Sequence, residues 1–180
     1  NLSSREVVSL IEDMRVLRIG GLSVTMPHKE TVANLVDEMT SHAQKLKVVN
    51  CVSRKGNSLI GHNTDGAGFL RALKEEIKEE ISGMTCLIIG AGGAAKAVSL
   101  ALGESGAKEV IVSSRDASKS ETVAQLAGES GKVGSLSDGE RVDLIVNATP
   151  IGMNGTKNEG LLPLPATVMN KDQIIVDLIY

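Results

Sequence analysis

Aromatic side chains are almost missing from this chain: Phe69 and Tyr180 are the only two, and there is no tryptophan. Proteins that grip single-stranded nucleic acid do so with stacking rings along a basic groove. Here the rings are absent, and 19 Lys and Arg against 22 Asp and Glu leave a formal net charge of −3. Nothing in that balance attracts a polyanion, so no nucleic-acid partner is expected. Long apolar runs are missing as well. Runs such as 87–91 are strand-sized, far short of the ~20 residues of a membrane-spanning helix, and no signal-peptide pattern is visible. Cysteine is scarce: Cys51 and Cys86 stand far apart in strand-like apolar runs, with no metal-ligand pattern around them. They read as buried free thiols, which fits a reducing, cytoplasmic compartment. His28, His42 and His62 match no metal spacing either, and no metal is expected.

What remains is an ordinary globular composition, 42% hydrophobic and 23% charged over 180 residues. That length makes one ample domain or two small ones. The chain opens at Asn1 directly into helical pattern and stops at Tyr180 just after an apolar strand. We therefore expect it to be part of a longer protein.

Residues 4–18 predict a helix with a broad apolar face, ended by Gly20-Gly21. A short strand over 22–25 follows. Pro27 then suits the first turn of a helix carrying Val32, Leu35, Val36 and Met39 at helical spacing. Residues 48–53 and 58–62 predict a hairpin around Lys55-Gly56-Asn57, and 64–80 a long helix. Ser82-Gly83 marks the passage to a second unit. There, strands over 85–89, 109–113, 143–147 and 174–178, with a shorter one at 132–136, alternate with helices over 92–104 and 118–127. That alternation predicts a parallel sheet with helices on both faces. The expected fold class is α/β: a substrate-binding unit over 1–82 and a Rossmann-type dinucleotide-binding unit over 83–180, with a cleft between them.

The strand at 85–89 runs into Gly90-Ala91-Gly92-Gly93-Ala94-Ala95 and then into helix, which matches G-x-G-x-x-A at Gly90, Gly92 and Ala95. The first glycine permits the tight turn, the second lets backbone approach a pyrophosphate, and the third small residue lets helix pack on strand. The helix N-terminus then faces the phosphates. A glycine pattern alone is weak evidence; flanked by strand and helix it carries the mechanism. About 20 residues on, where an acidic residue would hold the ribose of NAD, stand Ser113-Ser114-Arg115, then Asp116 and Lys119. Arg115 and Lys119 suit the 2′-phosphate of NADP. Asp116 opposes it, by repelling a phosphate or by serving a ribose hydroxyl, so NAD stays open.

Two segments of the first unit look chemical. Leu22-Ser-Val-Thr-Met-Pro-His-Lys29 places a hydroxyl and a lysine at a strand end, and Gly61-His-Asn-Thr-Asp-Gly66 places an amide, a hydroxyl and a carboxylate at another. Oxidising an alcohol needs a group that takes its proton as hydride leaves, and Lys29 with Asp65 could supply one. By residue type alone, a lysine and an aspartate at helix starts are more often surface charge and an N-cap.

Together, Ser23-Val-Thr-Met-Pro-His-Lys29, Val49-Asn50, Asn63-Thr-Asp-Gly66 with Gly68, Gly90-Ala-Gly-Gly-Ala-Ala95 and Asn147-Ala-Thr-Pro-Ile-Gly-Met153 resemble the shikimate dehydrogenase family, in order and in rough spacing. The resemblance spans essentially the whole chain. It implies a cytoplasmic NADP-dependent oxidoreductase that interconverts 3-dehydroshikimate and shikimate in the biosynthesis of chorismate and the aromatic amino acids, as a monomer or homodimer. It makes Lys29 and Asp65 the catalytic pair, and places Thr25 and Asn50 on the substrate ring hydroxyls, with Asn63 beside them and Tyr180 near the substrate. Gly90 to Ala95 would hold the pyrophosphate, and Ser114, Arg115 and Lys119 would face the adenosine ribose phosphate. Asn147, Thr149 and Met153 would line the cofactor cleft.

Two departures stand out. Cys51 replaces a usual threonine, and Ser114-Arg115-Asp116 replaces the usual Asn-Arg-Thr. The family's serine pair for the substrate carboxylate would precede Asn1, and a substrate-contacting glutamine would follow Tyr180. The readings left open are an NAD-preferring quinate/shikimate dehydrogenase, a non-catalytic ligand-sensing relative on the same fold, and the dinucleotide module of another dehydrogenase.

Overall fold

A computed structural model of the chain describes residues 2–17, 19–78 and 80–179. It divides into two compact units, Asn1–Asp65 and Gly66–Tyr180.

The first unit opens with α1 (Ser4–Val16), started by a reciprocal capping box. Ser3 Oγ accepts the Glu6 N–H at 3.3 Å, while the Glu6 carboxylate accepts the Ser3 N–H at 2.6 Å. Its buried residues, Val7, Ile11 and Met14, recur every three or four positions and so form one face. Then come β1 (Gly21–Ser23), α2 (Lys29–Ala33), β2 (Glu38–Met39), α3 (Ser41–Leu46), β3 (Cys51–Lys55) and β4 (Ser58–His62). The sheet order is β1-β3-β4-β2, antiparallel except for the β2–β4 pair. Lys55 pairs with Ser58, leaving a two-residue turn whose first position, Gly56, has φ +63°. That value suits a residue without Cβ. Val32, Ala43, Val49, Val52 and Leu59 close the core against α1.

Two expectations from the sequence need correcting here. Pro27 lies before α2 rather than in its first turn: the Met26–Pro27 bond is cis, and the His28 N–H closes a turn on Thr25 O. The helix also ends at Ala33, and Met39 belongs to β2. Asp37 explains the change. Its N–H donates to Leu59 O, its carboxylate accepts the Leu59 N–H at 2.7 Å, and Arg15 grips it at 2.6 Å. These bonds draw residues 37–39 into the ladder against β4, overriding the helical spacing of the apolar residues. Helix α3 has no counterpart among the elements expected from the sequence; it stops at Lys47, which is left-handed at φ +53°.

The second unit contains nearly all of α4 (Asp65–Ile77), then β5 (Thr85–Ile89), α5 (Gly93–Glu104), β6 (Glu109–Ser113), α6 (Ala117–Gln125), β7 (Gly131–Val133), β8 (Leu144–Asn147) and β9 (Ile174–Asp177). All five strands are parallel, in the order β7-β6-β5-β8-β9. The central strand β5 is buried throughout. Cys86 and Ile88 pack into one apolar cluster with Phe69 and Leu73 of α4, and Leu87 and Ile89 into another with Ile111 and Ile145. Such two-sided burial is what a parallel sheet covered on both faces requires. Both cysteines are free, Cys86 fully buried and Cys51 partly so. Burial and the nearby Asp143 push the Cys86 thiol up to about 12, which leaves it inert. No helix among the described residues is long and apolar enough to cross a membrane.

Glu109 ties one edge of this sheet together, accepting Arg141 Nη1 at 2.7 Å and Lys132 Nζ at 2.9 Å with its side chain only 13% exposed. Those two cations lower its carboxyl from 4.5 to about 2. A depressed carboxyl contributes stability that is complete above its unfolded value and lost as the pH falls toward the folded one. Glu109→Gln is therefore expected to cost about 1–2 kcal/mol at pH 7, discounted because both cations reach solvent. The gap to the parent should close between pH 4.5 and about 2, which urea titrations across that range can follow. A gap independent of pH would assign the loss to packing instead.

Candidate active site

Three segments converge at one end of the first unit's sheet. Lys29 is the first residue of α2, Asn50 directly precedes β3, and Asn63-Thr64-Asp65 joins β4 to α4. Backbone bonds fix them: Val49 N–H donates to Lys29 O, Asn50 N–H to His62 O, and Val24 N–H to Asn50 O. Gly61 must lack a Cβ, which would sit 2.6 Å from Val49 Cγ2 and 3.0 Å from Val36 Cγ2. The close packing there holds β4 against the segment that carries Asn50.

Lys29 Nζ lies 2.5 Å from Asp65 Oδ2, with the two side chains 16% and 26% exposed. The other carboxylate oxygen, Oδ1, accepts Asn50 Nδ2 at 2.7 Å. Asn50 is held in turn by Thr64, whose N–H donates to Asn50 Oδ1 at 3.0 Å and whose hydroxyl accepts from Nδ2 at 3.0 Å. A backbone donor on one side and a carboxylate on the other fix which way this amide points. Asn63 stands behind them: its Oδ1 accepts the Asp65 N–H at 3.2 Å, and its Nδ2 donates to Val48 O at 3.1 Å. Thr25 is exposed just past β1. Lys29, Asp65, Asn50 and Asn63 thus form one bonded group. Thr64 belongs with them: the sequence marks its hydroxyl at this corner, and the structure gives it the support of Asn50. Its place within Asn63-Thr-Asp-Gly66 was the available signal. Tyr180 lies outside the described residues.

The glycine turn forms a second center, in the other unit. Gly90 has φ +115°, and a Cβ there would stand 2.9 Å from Ala148 O and 3.0 Å from Thr149 Cγ2. Gly92 is the N-cap of α5, extended at φ −88° and ψ −171°, and no side chain caps the helix. A Cβ at Gly92 would meet nothing within 4 Å. Among the described residues no side chain bonds the first N–H groups of α5, and the space beside Gly92 is open, an arrangement that fits a diphosphate. Ala95 is buried, as the close packing of helix on strand requires. Ala91, Gly93 and Ala94 are partly exposed around the turn.

The adjoining loops differ in how freely their side chains stand. Asn147 is buried, and its amide is fully engaged: Nδ2 donates to Ile151 O at 3.1 Å and to Asp177 Oδ1 at 3.0 Å. Its Oδ1 accepts the Thr149 N–H at 3.1 Å and the Thr149 hydroxyl at 2.7 Å. Asn147 and Thr149 thus brace the loop from Ala148 to Met153, whose end is half-buried at Met153. After β6, Ser114 Oγ is bonded to Asp116 O at 2.9 Å and Ser120 Oγ at 2.8 Å. Arg115 and Lys119 are exposed.

A paired ammonium and carboxylate in one unit and a glycine turn ending at an uncapped helix in the other make a combination that can be compared with known proteins. A family described as the shikimate dehydrogenase substrate binding domain matches residues 1–52, and one described as shikimate / quinate 5-dehydrogenase matches residues 72–178. The chain belongs to the shikimate/quinate dehydrogenase family. It is 41% identical over 176 residues to an NADP(+) shikimate dehydrogenase of Methanopyrus kandleri, covering 91% of this chain and 60% of that protein. A crystal structure of a shikimate dehydrogenase in complex with NADP+ superposes with a TM-score of 0.90 at 34% identity, covering 99% of this chain and 64% of that one. The Thermus thermophilus enzyme, in complex with NADP(H) and shikimate, gives a TM-score of 0.88 at 31% identity, covering 99% of this chain and 65% of that one. The chain thus spans between 60% and 65% of the length of these relatives.

Proposed function

We propose that this chain supplies the catalytic and cofactor-binding parts of a cytoplasmic, NADP-dependent shikimate dehydrogenase, which reversibly reduces 3-dehydroshikimate to shikimate on the route to chorismate and the aromatic amino acids. The observation that carries this reading is the meeting of Lys29 and Asp65 at 2.5 Å, although they stand 36 residues apart in sequence. Substrate handling falls to the first unit, where Thr25, Lys29, Asn50, Asn63 and Asp65 all lie, and cofactor binding to the second.

Bound NADPH supplies the hydride that adds to C3 of the ring. As it arrives, negative charge develops on the C3 oxygen, and Lys29 gives that oxygen a proton. In the oxidising direction the Lys29 amine takes the proton back. Asp65 orients Lys29 through Oδ2 and keeps a charge opposite it, while Asn50 holds Oδ1 and so fixes the plane of the carboxylate. A ring hydroxyl that reaches Asn50 exchanges with the Thr64 bond and leaves the bond to Asp65 in place. The N–H groups at the start of α5 receive the pyrophosphate beside Gly92, and Asn147 and Thr149 act by shaping the loop next to it.

A second reading, an NAD-preferring quinate/shikimate dehydrogenase, is favoured by Asp116 at the adenosine corner. Steady-state rates of NADPH formation from shikimate and of NADH formation from quinate, on the same purified protein, separate the two. Shikimate binding with no reduction of either cofactor would support a ligand-sensing relative and refute both.

A further inference from the structure

We propose that Asp116 is a specificity-determining residue that biases this chain away from strict NADP use, by acting as a built-in anion where a 2′-phosphate would dock. The inference rests on the dinucleotide reading of the glycine turn and goes beyond it to the choice between the two cofactors.

The corner after β6 lies beside that turn, because the Gly90 N–H donates to Ser113 O at 2.8 Å. In a strand–helix–strand dinucleotide unit this corner takes the adenosine ribose. Three groups there could serve a phosphate, namely the Arg115 guanidinium, the backbone at the start of α6 and the ammonium of Lys119. The last two already face Asp116. Its Oδ1 accepts the Lys119 N–H at 3.2 Å, capping α6, and its Oδ2 lies 3.7 Å from Lys119 Nζ. The carboxylate remains 49% exposed and so stays open to a ligand. Ser114 turns its hydroxyl inward, to Asp116 O and Ser120. Of the three residues expected to meet the phosphate, only Arg115 makes no side-chain hydrogen bond or ion pair among the described residues.

A 2′-phosphate entering this corner meets a carboxylate that repels it and a lysine already part-neutralised. The 2′- and 3′-hydroxyls of NAD carry no charge to be repelled, and they can donate to the carboxylate. Asp116 thus penalises one cofactor and spares the other, which is how specificity arises from a repulsive element.

The test removes the charge and keeps the cap, since Asn and Ser cap helices about as well as Asp. Calorimetric titration of 2′,5′-ADP and of ADP would compare the parent with Asp116→Asn and Asp116→Ser, with melting temperature as the check on the fold. Both variants are expected to bind 2′,5′-ADP about tenfold more tightly at low salt, with most of the gain gone near 1 M salt. Their ADP affinity should stay within about twofold or weaken. Unchanged 2′,5′-ADP affinity, or equal tightening of both ligands, would overturn the proposal. If no protein bound either ligand, the dinucleotide reading itself would fall and take this inference with it.

Discussion

Replacing Lys29 by alanine is expected to lower kcat for shikimate oxidation by about 10²–10⁴, the range for loss of a positioned acid–base group, with the fold intact. The lysine sits at the start of a five-residue helix, partly exposed at one end of the sheet, and its backbone O holds Val49 in either variant. What disappears is the group that takes the C3 hydroxyl proton as hydride leaves. Removing it also leaves Asp65 without its countercharge. Asn50 still donates to Oδ1, and the carboxylate is 26% exposed, so water can solvate Oδ2. The stability loss should therefore stay near or below about 1 kcal/mol, as for other partly exposed ion pairs. Shikimate KM is expected to move far less than kcat, because Thr25 and Asn50 are untouched. Steady-state kinetics beside a melting curve checks both halves. Turnover within a few-fold of the parent, in a folded protein, would remove Lys29 from the chemistry.

How much of this was legible beforehand depends on the range of the forces involved. In the second unit, strand, turn and helix follow one another with each signal local. Thr85–Ile89 and Glu109–Ser113 agree with their predicted limits, and α5 begins one residue later than expected. In the first unit a single long-range carboxylate undid the local pattern. Asp37 gathers Arg15 from α1 and the Leu59 N–H from β4, and so sets residues 38–39 as a strand where spacing predicted helix. The site divides in the same way. Lys29, Asn50 and Asp65 were visible as residue types in a family pattern, but the support that Thr64 gives Asn50 depends on a β4 corner that spacing does not encode. The amide of Asn147 was expected beside the cofactor, and its burial against Asp177, 30 residues away, could be read only from the packed strands. Asp116 stood out as a ribose ligand or a phosphate-repelling charge; that its Oδ1 also caps its own helix shows only in the folded corner.

The two glycines of the turn should fail in different ways, and that difference separates fold from ligand. Gly90→Ala puts a methyl group 2.9 Å from Ala148 O at a backbone φ of +115°. Strained backbone costs on the order of 1–3 kcal/mol, and overpacking a similar amount. A loss of about 2–5 kcal/mol is therefore expected, which lowers the melting temperature by roughly 5–15 °C for a chain of this size. Gly92→Ala carries neither cost. Its φ of −88° is open to any residue, and the new Cβ meets nothing within 4 Å. Its stability should fall by no more than about 1 kcal/mol, the difference between glycine and alanine at an N-cap. Yet that same empty space fronts the uncapped N–H groups of α5, where a diphosphate must come within hydrogen-bond distance of the backbone. A methyl group there holds the phosphates back, so ADP is expected to bind Gly92→Ala at least tenfold more weakly. Denaturant titration and ADP calorimetry on both variants measure the two effects separately. If Gly92→Ala were as unstable as Gly90→Ala, or bound ADP as tightly as the parent, the space before α5 would be a feature of the turn alone and not a place for a cofactor.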